Sequence, residues 1–177
     1  MKRISAVIST SIVCFLFWIL FTQPFDFNAM TMNREEIIAG IAVSLIVGAL
    51  SSPFFIKSNA FWLFNPKRFF AFLAFIPVYA VELWKANVDV AKRALSPKLN
   101  INPGIVKIET EVKSDYGLAL LSNCITLTPG TITMDIVEEN GKCYMYIHWI
   151  DVATTDIKKA SDIIKGAFEP WVRRIFK

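Results

Sequence analysis

FNPKRFFAFLAFIPVYAVELWKANVDVAKRAL, residues 64–95, begins like a membrane segment and ends like a water-facing helix. Asn65-Pro66 suits a helix start, because a proline in the first turn loses no helical hydrogen bond. The uncharged core then runs only from Phe69 to Val81, shorter than the roughly 20 residues that cross the hydrocarbon layer. Lys67 and Arg68 stand at one end, and Lys85, Lys92 and Arg93 at the other. Basic residues on both flanks conflict with a simple crossing, since positive charge collects on the cytoplasmic side. Glu82, Lys85, Asp89 and Lys92 follow a three-and-four spacing that lines up one helical face. The expectation is an interfacial or oblique helix over about 66–95, lying along the membrane surface.

What precedes it is more apolar. ISAVISTSIVCFLFWILFT, residues 4–22, follows Lys2 and Arg3. Its length, its aromatic residues and the lack of a small-x-small cleavage pattern point to an uncleaved spanning helix rather than a signal peptide. IIAGIAVSLIVGALSSPFFI, residues 37–56, is a second span, followed by Lys57. Gly40, Ser44 and Gly48 recur every four residues along it, a small-residue row that lets another helix approach closely. The loop between them carries Asp26, Glu35 and Glu36 against Arg34, and fits the outer side. Two spans and an interfacial helix leave both termini in the cytoplasm.

Composition agrees with a membrane region of residues 1–96. Of the 177 residues 54% are hydrophobic and 19% charged, below the quarter usual in soluble domains. Up to Ser96 there are nine Lys/Arg against five Asp/Glu; beyond it the counts are ten and ten. The basic excess therefore belongs to the apolar part and suits a membrane rather than nucleic acid.

Past Ser96-Pro97 and Asn102-Pro103-Gly104 a water-soluble pattern takes over, an α+β domain of residues 97–177. Val106, Ile108, Thr110 and Val112 alternate with charged residues, the period of a strand with one buried face. Ser114 or Asp115 then caps a helix that stays apolar up to Thr128-Pro129. Ile132, Met134 and Ile136 alternate again, Asn140-Gly141 supplies a hairpin turn, and KCYMYIHWIDV (142–152) is the partner strand. A last helix is expected from Thr154 or Thr155. Its apolar stripe is Ile157, Ala160, Ile164, Ala167, Phe168, Trp171 and Ile175, opposite Lys158, Asp162, Lys165, Glu169 and Arg173, with a break near Pro170. The expected order is β-α-β-β-α, a small sheet with helices on one face.

Few residues offer chemistry. His148 and Asp151, with Cys124 or Cys143 as nucleophile, would make a base–nucleophile set, but no second histidine or activating motif accompanies them. The cysteines form no zinc spacing, TPGT lacks the length and lysine of a phosphate loop, and no cofactor is expected. Glu82, beside an apolar segment, can belong to an ion path or can simply pair with Lys85. SNCITLTPGTIT, residues 122–133, reads as a helix-to-strand corner. Pro129 stops the helix, Gly130 turns the chain, and Thr126, Thr128 and Thr131 bond exposed backbone groups.

LLSNCITLTPGTITMDI (120–136) and YIHWIDV (146–152), with ELWKANVDVAKRALSPKLNINPGIVKIET (82–110) upstream, resemble the E subunit of the Mrp-type (Mnh or Sha) multisubunit Na+/H+ antiporters. The resemblance extends over nearly the whole chain. It implies an accessory, non-enzymatic component of a bacterial plasma membrane complex, with a cytoplasmic C-terminal domain. Cation and proton movement is then the work of large subunits related to respiratory Complex I. It also marks Asn87, Asp89, Ser96, Pro97, Pro103, Gly104, Thr126, Thr128, Pro129, Gly130, Thr131, His148 and Asp151 as signature positions and candidate contacts to other subunits. The alternative is a subunit that joins the ion or proton path through Glu82.

Overall fold

The computed structural model describes residues 2–23, 25–26, 31–56, 65–99 and 101–176. Lys57, and Pro24 and residues 27–30 of the expected outer loop, lie outside them. The chain forms two compact units, Met1–Asn65 and Pro66–Lys177. Three helices are long and apolar enough to cross a membrane: Arg3–Thr22, Arg34–Phe54 and Pro66–Ala94.

The first unit is a helical hairpin. Helices α1 (Lys2–Thr22) and α2 (Arg34–Phe55) flank a short antiparallel pair, β1 (Phe25–Asp26) and β2 (Thr31–Met32). Asn33 caps α2 by accepting from the Glu35 and Glu36 amides at 3.2 and 3.4 Å, while those two carboxylates sit at the positive end of the helix. Gly40, Ser44 and Gly48 are buried, in a helix most of whose other side chains are exposed. A Cβ on Gly40 would stand 2.5 Å from the Trp18 ring, and one on Gly48 would run into the Ser11 side chain. Trp18 also donates its indole N–H to the Glu36 carbonyl at 3.1 Å, tying the two helices together.

The second unit opens with α3 (Pro66–Ala94), which continues through Pro77. It is followed by β3 (Gly104–Thr110), α4 (Asp115–Leu127), β4 (Thr131–Glu139), β5 (Lys142–Trp149), α5 (Ile157–Lys165) and α6 (Glu169–Phe176). The strands form an antiparallel sheet in the order β3-β5-β4. β5 lies central because the Asn140-Gly141 turn, with both φ angles positive, folds it back on β4. Val106, Ile108, Met145 and Ile147 are buried on one sheet face under α4 and α5, joined by Leu121 and Ile125 from α4. Packing thus groups α3 with the sheet layer and divides the chain at Asn65, whereas the apolar excess of the sequence ends near Ser96.

Three local expectations need correction. Ile132, Met134 and Ile136 do not share a face. A bulge between Thr133 and Asp135 pairs Ile132 with His148 on the open face and Ile136 with Met145 on the helix face. The C-terminal helix starts later, capped by Asp156, whose carboxylate accepts from the Lys159 amide at 2.9 Å. It is also two helices: α5 ends at Gly166, and Pro170 sits in the first turn of α6 rather than at the break.

Lys165 follows Ser161 by four residues on the buried side of α5, and beyond the early break α6 turns Glu169 inward to meet it, while Ile157 and Ala167 stay exposed. Glu169 accepts from the Thr110 hydroxyl (2.5 Å), from the Glu111 amide (2.8 Å) and from Lys165. Ser161 Oγ takes the Glu109 amide at 3.0 Å. Side chains of α5 and α6 thereby satisfy the outer edge of β3, which would otherwise be an open template for another strand.

Candidate functional site

The second unit contains one cleft that gathers several of the marked residues, with a volume of about 300 Å³. Its walls are the Glu82–Arg93 part of α3, the Thr128–Thr131 corner, the end of β5 from Trp149 to Asp151, and Ile163, Ile164 and Phe168. The corner is built by hydroxyls. Thr128 and Thr131 both donate to the Ile125 carbonyl at 2.6 Å, satisfying a helix-end acceptor that has no partner within the helix. Thr126 Oγ1 accepts from the Thr133 amide at 3.1 Å, which fixes where β4 departs. Gly130 adopts φ +99°, and its carbonyl accepts from the Ile150 amide at 2.8 Å. A Cβ there would lie 2.9 Å from Ile150 and 3.6 Å from Val90 of α3, so the corner fits closely against both neighbours.

Charges clasp the opposite wall. Arg93 donates through Nε to Asp89 at 2.8 Å and through Nη1 to Asp151 at 2.6 Å, joining α3 to the end of the central strand. Glu82 is paired with Lys85 at 2.7 Å. Toward the other end of α3, Phe75 and Tyr79 surround Phe168, with ring centroids 6.4 and 6.0 Å away.

The cleft therefore unites Glu82, Asp89, Thr128, Pro129, Gly130, Thr131 and Asp151. It leaves out Asn87, which bonds back to the Leu83 carbonyl at 2.7 Å on the exposed side of α3. Ser96 and Pro97 lie exposed beyond the helix end. Pro103 and Gly104 lead into β3, where a Cβ on Gly104 would meet Val152 at 3.0 Å. Gly40, Ser44 and Gly48 belong to the first unit. Arg93, the residue that organises the site, is not among the positions marked from sequence. Its spacing of four from Asp89 was the available signal.

The arrangement does not assemble a base–nucleophile pair. Asp151 is engaged by Arg93, and His148 sits on the open sheet face opposite Ile105 and Ile132, its Nδ1 buried without a hydrogen-bond partner. Burial pushes the Cys124 thiol up to about 11, away from the thiolate form that nucleophilic attack requires. Among the described residues, no group of three or more His, Cys, Asp or Glu could hold a metal ion.

Comparison with known proteins matches residues 11–175 to a family described as Na+/H+ ion antiporter subunit. The E subunit of the Na+/H+ antiporter of Bacillus subtilis (strain 168) is 35% identical over 161 residues, covering 90% of this chain and 98% of the relative. The E1 subunit of the Na+/H+ antiporter of Staphylococcus saprophyticus is 30% identical over 168 residues, 95% of each chain. Among solved structures, a chain of the membrane-bound sulfane sulfur reductase, an archaeal respiratory membrane complex, is similar with a TM-score of 0.79 and 38% identity. That match covers 99% of this chain and all of the other.

Proposed function

We propose a role for the chain from one premise: it belongs to the E-subunit family of Mrp-type Na+/H+ antiporters. It serves as a non-catalytic, accessory component of a multisubunit cation/proton antiporter in the plasma membrane, with other subunits of the complex as its partners. The observation that carries this is the full-length match, residues 11–175, which takes in the membrane helices as well as the sheet layer.

In this reading α1 and α2 span the bilayer, α3 lies along its cytoplasmic surface, and the sheet layer stands in the cytoplasm. Packing around Phe168 supports that placement. Phe75 and Tyr79, in the apolar half of α3, lie beside the start of α6, which carries Arg173 and Arg174. A full crossing by α3 would draw those guanidinium groups toward the hydrocarbon, where charge is costly. The signature residues that are exposed, Asn87, Asp89, Ser96, Pro97, Pro103 and Thr126, together with half-buried Pro129 and Asp151, are the contacts offered to neighbouring subunits. Thr128 is buried and acts within the corner.

Co-purification tests the assignment. A tagged chain expressed with its neighbouring genes should come out of mild detergent with antiporter subunits; recovery of the chain alone sinks the reading. In the same complex Glu82→Gln should leave antiport unchanged, since Glu82 is ion-paired at the cleft; abolished antiport with intact assembly would place it in the ion path.

The likeness to a chain of a respiratory complex favours a second reading, in which the same chain serves an electron-transferring assembly. Redox-active partners in place of antiporter subunits in the purified complex would select it.

A further inference from the structure

Helix α3 is fastened to the sheet layer at two places. Near its middle, Phe75 and Tyr79 pack on Phe168, just before α6. Near its end, Arg93 donates to Asp151 at 2.6 Å, and Val90 lies beside Gly130. Between the two fastenings lies the cleft of about 300 Å³, whose far wall includes Ile163 and Ile164.

The middle fastening is built like a hinge. Pro77 stands inside α3 between Phe75 and Tyr79. Its ring nitrogen has no hydrogen to give the Leu73 carbonyl, and a helix bends most easily where that bond is missing. Arg93 follows Pro77 by 16 residues, about 24 Å of helix. A bend of roughly 10° at Pro77 carries the far end about 4 Å, enough to part an ion pair.

The end fastening is built like a latch. Arg93 binds Asp89 through Nε at 2.8 Å, within its own helix, and Asp151 through Nη1, across to the end of the central strand. Release of Asp151 therefore leaves the guanidinium with a counter-charge. The Arg93 and Asp151 side chains are 25 and 35% exposed, so water can solvate what an opened pair gives up. An ion pair so placed contributes little and is screened by salt.

We propose that residues 78–94 of α3 form a strap that swings about Pro77 and is held shut along the cleft by the Arg93–Asp151 ion pair. Arg93 keeps Asp89 in both positions, so the swing exchanges one cross-layer bond for water without stranding a charge. Two arrangements separated by so small an energy make a two-state element. Every part of it belongs to the second unit.

The test uses the full chain in lipid nanodiscs, with Cys14, Cys124 and Cys143 replaced by alanine. Nitroxides are placed on Lys92→Cys, at the end of the strap, and on Ala153→Cys, just past Asp151; both positions are exposed. Their dipolar coupling should report a major near population and a minor far one. Asp151→Asn should raise the far population up to about fivefold, the effect of losing one partly exposed ion pair. Sodium chloride raised from about 50 mM to about 1 M should raise it in the chain with Asp151 intact, by screening alone. Asp89→Asn, which removes only the partner within the helix, should leave the near population in place. Pro77→Ala added to Asp151→Asn should return most of the near population. Circular dichroism checks that each variant folds, and the salt series decides alone where Asp151→Asn does not. A far population that ignores both salt and Asp151→Asn overturns the latch. An equal rise with Asp89→Asn overturns it too, because loss of any nearby carboxylate then loosens the helix. A far population that Pro77→Ala leaves unchanged overturns the hinge.

Discussion

Lys165 and Glu169 carry charge into the core of the second unit, with side chains only 10 and 12% exposed. Burial by itself would raise the Glu169 carboxyl, but Lys165, the Thr110 hydroxyl and the Glu111 amide outweigh it and hold the group below its ordinary value. A carboxyl lowered on folding stabilises above its unfolded pKa, about 4.3, and that contribution disappears as pH falls through the lower folded value. The melting temperature of the full chain in detergent should therefore drop as pH is taken from about 5 downward. Glu169→Gln should flatten this acid limb and cost about 3 kcal/mol at neutral pH, because Lys165 is left buried without its counter-charge. An unchanged acid limb in the variant would show that another group governs acid unfolding. On a helical wheel both residues fall with the solvated set; Lys165 is buried next to the Ser161 side of α5, and the break at Gly166 brings Glu169 in to meet it.

Among the elements, those set by strong local chemistry were legible. The cap at Ser114, the Asn140-Gly141 hairpin and the alternation of β3 follow from side chains acting on their own backbone. The β4 bulge and the α5–α6 break were not, because each answers to packing against another element. For the helical hairpin, close approach is the controlling feature: the Ser11 backbone nitrogen would lie 3.0 Å from a Cβ on Gly48. Gly48→Val should push α1 and α2 apart at a cost of about 1–3 kcal/mol. Lowered melting temperature in micelles and faster limited proteolysis would report it. Leu50→Val is the control, since Leu50 is 71% exposed on the same helix, and it should leave the hairpin helices unaffected.

For the whole molecule, the number of crossings fixes the side of the membrane that each part occupies. Two crossings return the chain to the side of Lys2 and Arg3, and three do not. A Ser96→Cys probe just past α3 should react with an impermeant maleimide in inside-out vesicles and stay silent in intact cells. Reaction from the outside would establish three spans and place the sheet layer outside.

The sequence by itself determined that the chain is a membrane protein with a small α+β layer, because hydropathy and period are properties of neighbouring residues. It determined the family too, since the signature keeps its order and spacing along the chain. Tertiary structure alone decided that Arg93 reaches Asp151 across 58 positions, that Phe168 sits between Phe75 and Tyr79, and that Lys165 and Glu169 close the edge of β3. Those contacts depend on how elements distant in the chain meet, and a pair's energy depends on burial that no local pattern encodes.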